Sequence, residues 1–235
     1  MSDELASKTT PEAEAIAAGR LVFFDMGAEE TEEDGAARLA ETCKESFGGM
    51  DGLVCNTAAG VPTQAVVQGA PGTAAAMEGW DPVAWAATLA GTLTEPMLAV
   101  KHALPLLKAA CSSGTVGAGG GGGAIVNVAW NVSHGQAKQQ GGETLAAAGG
   151  GLVALTNALA VSSGPHVRVN AVSVPVGTGE MNGGGGTQAS SGLVRRAGSG
   201  KDAASAVAFL LSSRAGFVTG QNLVVDGGLS SRATN

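Results

Sequence analysis

Short apolar runs bounded by glycine, asparagine or aspartate alternate along the chain with longer stretches whose apolar positions recur every three or four residues. The first run, residues 21–24 (LVFF), has the β-branched and aromatic content of a buried strand and ends at Asp25. Before it, residues 11–18 have helix-forming composition, with Gly19 as a stop. Residues 33–47 bring Ala36, Ala37, Leu39, Ala40, Cys43 and Phe47 to one face of an amphipathic helix, which Gly48 and Gly49 close. A second strand is predicted at 53–55, with Asn56 at its C-terminal end. Residues 85–107 read as a long helix that Pro96 and Pro105 kink or shorten. A third strand follows at 124–128 (AIVNV). Residues 145–161 read as a helix rich in Ala and Leu, with Gly149, Gly150 and Gly151 inside it, and strands at 167–172 (VRVNAV) and 223–225 come last.

Strands alternating with helices of this length predict a parallel sheet covered on both faces, a doubly wound α/β domain with right-handed crossovers. At 235 residues the chain suits one well-buried domain rather than two. Residues 1–12 are expected to be flexible. The stretches 117–123 and 182–193 are expected to be glycine-rich loops, the second a candidate mobile cover over a substrate.

Composition narrows the partners. The formal charge of -7 repels phosphate backbones, so nucleic acid is not expected. The opening MSDELASK, with early acids and no apolar run, shows no secretory signal, and no uninterrupted apolar run reaches the roughly 18 residues that span a bilayer. Cys43, Cys55 and Cys111 have neither metal-ligand spacing nor the even number of a disulfide framework. These features predict a cytoplasmic protein, with no metal and no membrane partner.

Residues 207–228 (VAFLLSSRAGFVTGQNLVVDGG) closely resemble the C-terminal end of the short-chain dehydrogenase/reductase family. The segment 49–56 (GMDGLVCN) looks like the approach to that family's N-N-A-G motif, here Cys55-Asn56-Thr57-Ala58. Residues 123–128 and 167–172 resemble the strands before its catalytic serine and its P-G turn, the latter now Pro175-Val176. The resemblance implies a Rossmann-like fold, and the expectation is that its first β-α-β segment is lacking. The family's T-G-x-x-x-G-x-G turn, whose backbone closes on a pyrophosphate at a helix N-terminus, has only Gly19 to answer it before Leu21.

The chain has no tyrosine. Carried over residue by residue, the family's Y-x-x-x-K falls on Leu145 and Gly149, its serine near Ala129 or Trp130, and its helix asparagine at or beside Thr88. Leucine cannot donate a proton, and glycine cannot hold the charge that lowers a phenol's pKa. With the cradle also missing, no cofactor is expected; Asp25 and Asn56 remain as weak cofactor contacts. The segment 131–144 holds Asn131, Ser133, His134, Lys138 and Glu143. Of these, His134, Ser133 and Glu143 are candidates for cofactor-free acid–base work. His102 is read as surface, His166 as a strand cap, and Asn56 more readily as a tie between adjacent strands than as a ligand contact.

The expectation is therefore a degenerate family member of small-molecule metabolism. It would act as a non-redox isomerase, dehydratase or cyclase, or as a non-catalytic partner in a homo- or hetero-oligomer of similar subunits. The alternative is an NAD(P)-dependent oxidoreductase whose N-terminal cofactor site is rebuilt or misread.

Overall fold

The computed structural model describes residues 24, 31–57, 81–112, 122–131, 142–175 and 192–231. The expected helix at 11–18, nearly all of the strand at 21–24, Asp25 and most of both glycine-rich stretches lie outside them. Phe24 itself is half-buried against the core.

The elements follow in the order α1 (Glu32–Phe47), β1 (Gly52–Asn56), α2 (Pro82–Leu89), α3 (Glu95–Ser112), β2 (Gly123–Asn131), α4 (Gly142–Ser163), β3 (Val167–Pro175), α5 (Gly200–Leu211) and β4 (Asn222–Val224). Among the described residues the strands form one sheet in the order β1-β2-β3-β4, every pair parallel. Leu53 pairs with Ile125, Gly123 with Val167, and Ala171 with Asn222.

Alternation along the strands sorts the core into two layers. Leu53, Cys55, Ile125, Val167 and Val169 face α1, α3 and α4, where they meet Leu39, Val100, Leu107 and Leu159. Val126, Val128, Trp130, Val172 and Val174 face the other way, toward Ala203 and Leu210 of α5. β2 and β3 are buried along almost their whole length, as strands covered on both faces should be. The buried Arg168 fastens α5 to the sheet. Its guanidinium donates to the carbonyls of Leu210 (2.8 Å), Ser212 (3.2 Å) and Leu211 (3.3 Å), oxygens a helix end would otherwise leave unpaired.

Three expectations change. The break in the long helix is a π turn at Ala90–Thr94, closed by the Glu95 amide bonding the Ala90 carbonyl. Pro96 has no N–H for the carbonyl four residues back and its ring crowds it, so the wider turn before Pro96 relieves the clash. Pro105 lies within α3 without ending it. Second, the glycine-rich stretch 117–123 does not end as loop, because Gly123 opens β2. A Cβ at Gly122 would sit 1.7 Å from the His166 carbonyl oxygen, and one at Gly123 2.7 Å from Leu107 Cβ. These glycines permit a close approach. Third, the stretches Pro82–Cys111 and Gly142–Ser163 are each long and apolar enough, by length and composition alone, to cross a membrane. In this fold they pack on the sheet as its crossover helices, with Val83, Met97 and Val161 turned outward.

Candidate active site at the strand ends

Open parallel sheets take ligands at the carboxyl ends of their strands. There this chain places Asn56 at the end of β1 and Thr57 just after it, Trp130 and Asn131 at the end of β2, and Val174 and Pro175 at the end of β3. Asn56 pairs with Val128, so Trp130, two residues farther along β2, shares its face of the sheet. Asn56 is exposed. The tie between β1 and β2 is made instead by Thr57, whose buried hydroxyl donates to the Val128 carbonyl at 2.9 Å. The strand-tying role expected of Asn56 thus belongs to its neighbour, and the Asn56 amide is left facing outward at the end of the ladder.

Trp130 is 5% exposed, packed with Val128, Leu145 and Val174. Its indole Nε1–H is buried without a hydrogen-bond partner among the described residues. Leaving such a donor unpaired costs about 1–3 kcal/mol, so groups of this kind are few in native folds. Leu145 and Gly149 lie one turn apart on α4, at the places corresponding to the family's tyrosine and lysine. Leu145 is buried beside Trp130, and Gly149 is so close that a Cβ there would stand 2.3 Å from the Trp130 carbonyl oxygen. Thr88 is buried on α2, which packs against α4, and its hydroxyl donates back to the Ala84 carbonyl at 2.8 Å. The π turn begins two residues later. The structure therefore brings Trp130, Leu145 and Gly149 together as an apolar wall.

The polar candidates are distributed differently. Glu143 is exposed in the first turn of α4. Two residues along a helix turn the side chain by roughly 200°, so Glu143 leaves the face that Leu145 buries. Ser133, His134 and Lys138 lie outside the described residues. Asn131 is half-buried, with its Nδ2 3.5 Å from Asp226 Oδ2. His102 is half-buried on α3, its Nε2 2.9 Å from Glu33, which also accepts from Lys101. His166 is exposed in the turn before β3.

Asp226 was not singled out from the sequence. It follows β4 and accepts from the Gly228 amide at 2.8 Å and the Ser230 amide at 2.7 Å. Burial pushes its pKa up, but the hydrogen bonds from Ser230, Gly228 and Leu229 outweigh it and hold the carboxyl below its ordinary value. The signal was the Asp-Gly-Gly step, since Gly227 and Gly228 both have positive φ, 64° and 81°.

Comparison with known proteins follows the same geometry. The family described as enoyl-(acyl carrier protein) reductase matches residues 1–230. A cis-4-hydroxycyclohexanecarboxylate dehydrogenase from Sinomonas cyclohexanicum is 32% identical over 204 residues, covering 84% of this chain and 73% of that protein. Among solved structures, a short-chain dehydrogenase/reductase of the glucose/ribitol dehydrogenase type from Brucella melitensis is 26% identical. It superposes with a TM-score of 0.63 over 84% of this chain and 71% of its own. A 3-ketoacyl-(acyl carrier protein) reductase from the same organism, solved with NADH, is 25% identical, with a TM-score of 0.65 over 84% and 74%.

These findings overturn the expectation of no cofactor. The family match begins at residue 1 and so includes the stretch judged to lack a cradle, and one of the relatives carries NADH. The donor set agrees in chemistry, with the outward amide of Asn56 and the Asn131 amide suited to the amide and hydroxyl oxygens of a nicotinamide riboside. Gly149 departs from the family, since its place has no room for the lysine. The parallel sheet, the order of its crossovers and a match over nearly every residue outweigh that departure, and the chain belongs to the short-chain dehydrogenase/reductase family.

Proposed function

We propose that this chain is an NAD(P)-dependent oxidoreductase that interconverts a secondary alcohol and a ketone on a small molecule. The observation that carries this reading is the 32% identity to a hydroxycyclohexanecarboxylate dehydrogenase across 84% of the chain. It favours this reading over the non-redox one, which rested on the joint loss of cradle, tyrosine, lysine, serine and asparagine. A bound nicotinamide supplies or takes the hydride. The chain's own residues do the rest. Asn56 and Asn131 are the residues that would hold the cofactor's amide and ribose. Trp130, Leu145 and Val174 keep water from the reacting carbon, where a dry wall strengthens every polar contact. With leucine at position 145 the proton needs another group, and by residue type His134 is the candidate, because an imidazole can both give and take a proton near neutral pH.

The test is oxidation of cis-4-hydroxycyclohexanecarboxylate with NAD or NADP, followed by reduced-nicotinamide absorbance. Turnover with one of the two cofactors is expected, and His134→Gln should lower it by roughly 10²–10⁴-fold. Absence of turnover over a panel of alicyclic and aliphatic alcohols, together with no calorimetric binding of either cofactor, would overturn the reading.

A further inference from the structure

Five buried polar side-chain atoms lack a hydrogen-bond partner among the described residues: Thr92 Oγ1, Asn127 Oδ1, Trp130 Nε1, Ser163 Oγ and Arg168 Nε. Four of them lie away from the strand ends. Thr92 is inside the π turn, Asn127 midway along β2, Ser163 at the last residue of α4 and Arg168 at the start of β3. Trp130 alone stands where an open parallel sheet receives ligands, and it is 95% enclosed, since its exposure is 5%.

We propose that the Trp130 Nε1–H is the hydrogen-bond donor to the substrate's oxygen, and that the site takes compact alicyclic or aliphatic ketones and secondary alcohols. This deepens, and rests on, the oxidoreductase reading above. The chemistry of the group sets its role. An indole N–H only donates, so it prefers a carbonyl or alkoxide oxygen to an ammonium or another donor. It does not release its proton in the physiological range. It therefore positions the oxygen and stabilises charge developing on it, while the proton moves through another residue. The neighbouring surface fits the rest of such a substrate. Leu145, Val174 and the indole ring itself are apolar and share one buried cluster. An uncharged ring or short chain can lie against them without desolvating an ion, whereas a charged substituent would have to point out of the sheet edge.

The structure also explains why a tryptophan can reach this place. Gly149 removes the side chain that would otherwise share the space beside the Trp130 backbone, and Leu145 replaces a phenol with a group that packs on the indole. The large residue on β2 and the small one on α4 are complementary changes on facing elements.

The experiment uses the full chain labelled with ¹⁵N, in which the 3 tryptophans give separate indole N–H signals. Trp130→Phe assigns the signal and keeps an aromatic ring without the donor. Should that variant fail to fold, Trp80→Phe and Trp85→Phe assign it by elimination in otherwise wild-type protein. The probes are cyclohexanone and methylenecyclohexane, matched in shape, of which only the first has an acceptor oxygen. Cyclohexanone should move the Trp130 indole proton downfield and methylenecyclohexane should not. Trp130→Phe should bind cyclohexanone roughly tenfold more weakly, the scale of one lost hydrogen bond. An unmoved signal, equal shifts with both probes, or unchanged affinity in Trp130→Phe would overturn the assignment. The two readings fail separately. Cofactor-dependent turnover of Trp130→Phe at the wild-type kcat and KM would sink the donor and leave the oxidoreductase standing. A selective indole shift in a chain without turnover would do the reverse.

Discussion

Gly149 of α4 and Trp130 of β2 meet backbone to backbone: a Cβ on the glycine would lie 2.3 Å from the tryptophan's carbonyl oxygen. Real Cβ atoms do not come so close to a carbonyl oxygen, so helix and strand are seated at a spacing only glycine allows. The neighbouring glycine has no such constraint among the described residues, since a Cβ at Gly150 meets none of them within 4 Å.

Gly149→Ala and Gly150→Ala should therefore have opposite signs. Alanine gains up to about 1 kcal/mol over glycine inside a helix, and at Gly150 that gain is kept. At Gly149 it is outweighed by the displacement of α4 from β2, a net loss of roughly 1–3 kcal/mol. Urea midpoints of the two variants against wild type check this, and a stabilised Gly149→Ala would refute the close seating. Restoring the family's lysine by Gly149→Lys should destabilise at least as much as the alanine, so lysine alone cannot be regained without moving the helix.

Much of the fold was legible because its signals are local. Alternating apolar runs and helical periodicity placed β1 at 53–55 and α1 at 33–47, each within a residue or so of Gly52–Asn56 and Glu32–Phe47. Gly48, with φ 73°, closes α1 as its residue type suggested. The site was less legible because its decisive features are contacts between distant segments. Nothing within residues 122–123 tells a loop glycine from one pressed against the His166 carbonyl. Likewise the π turn over residues 90–94 follows from how Pro96 is seated, and the prolines alone suggested only a kink. Thr57 was passed over for Asn56 because the strand-tying contact depends on which of the two side chains turns inward at the ladder's end. The cofactor was misjudged for another reason: catalytic positions can be lost while the scaffold that carries them still marks the family.

Acid should weaken the tie between Arg196 and Asp202 at the start of α5. Asp202 accepts both arms of the Arg196 guanidinium, at 2.6 and 2.8 Å, and the Ser199 amide at 2.8 Å. The Arg196 hydrogen bonds first, then the Ser199 amide, hold its carboxyl well below the usual carboxylate range. A depressed folded-state pKa gives stability that is present in full above the unfolded value of about 4 and is lost as pH falls through the folded one. Wild type and Asp202→Asn should then differ most near neutrality and converge in strong acid, with the difference shrinking in high salt because the pair is exposed. Thermal melts across acid pH at two salt concentrations measure it. A gap that widens on acidification would contradict the sign.

The three thiols should react in an order set by burial. The thiolate is the nucleophile, and burial pushes Cys55 up to about 12 and raises Cys43 as well, whereas Cys111 is exposed on α3. Iodoacetamide at mildly alkaline pH should therefore modify Cys111 in the native protein, with Cys43 and Cys55 following only on unfolding. Mass spectrometry of peptides from native and urea-treated samples reads this directly. Native labelling of Cys55 would mean that β1 opens far more readily than its place in the sheet implies.

Association is the remaining expectation, and the crossover helices are where it should be found. Only 28% of the apolar window in Pro82–Cys111 and 44% of that in Gly142–Ser163 is buried within the chain. Val83 is 74% exposed and Val161 85%, both on these helices. Gly150 is exposed on α4 with open space above it, so another backbone can approach there, and the cost of a helical glycine, about 1 kcal/mol, is offset by packing against a partner. We propose that these helices form the main contact with a second subunit, identical or of the same family. Gly150→Leu should then shift sedimentation toward monomer while leaving the urea midpoint of the dissociated chain unchanged or higher, since leucine is the better helix former. Gly150→Ala separates bulk from helix propensity, because it shares the propensity gain but fills little of the gap and should weaken assembly much less. A wild-type chain that sediments as a monomer at all concentrations, with and without an active relative present, would remove these helices as an interface and leave their outward valines without a role.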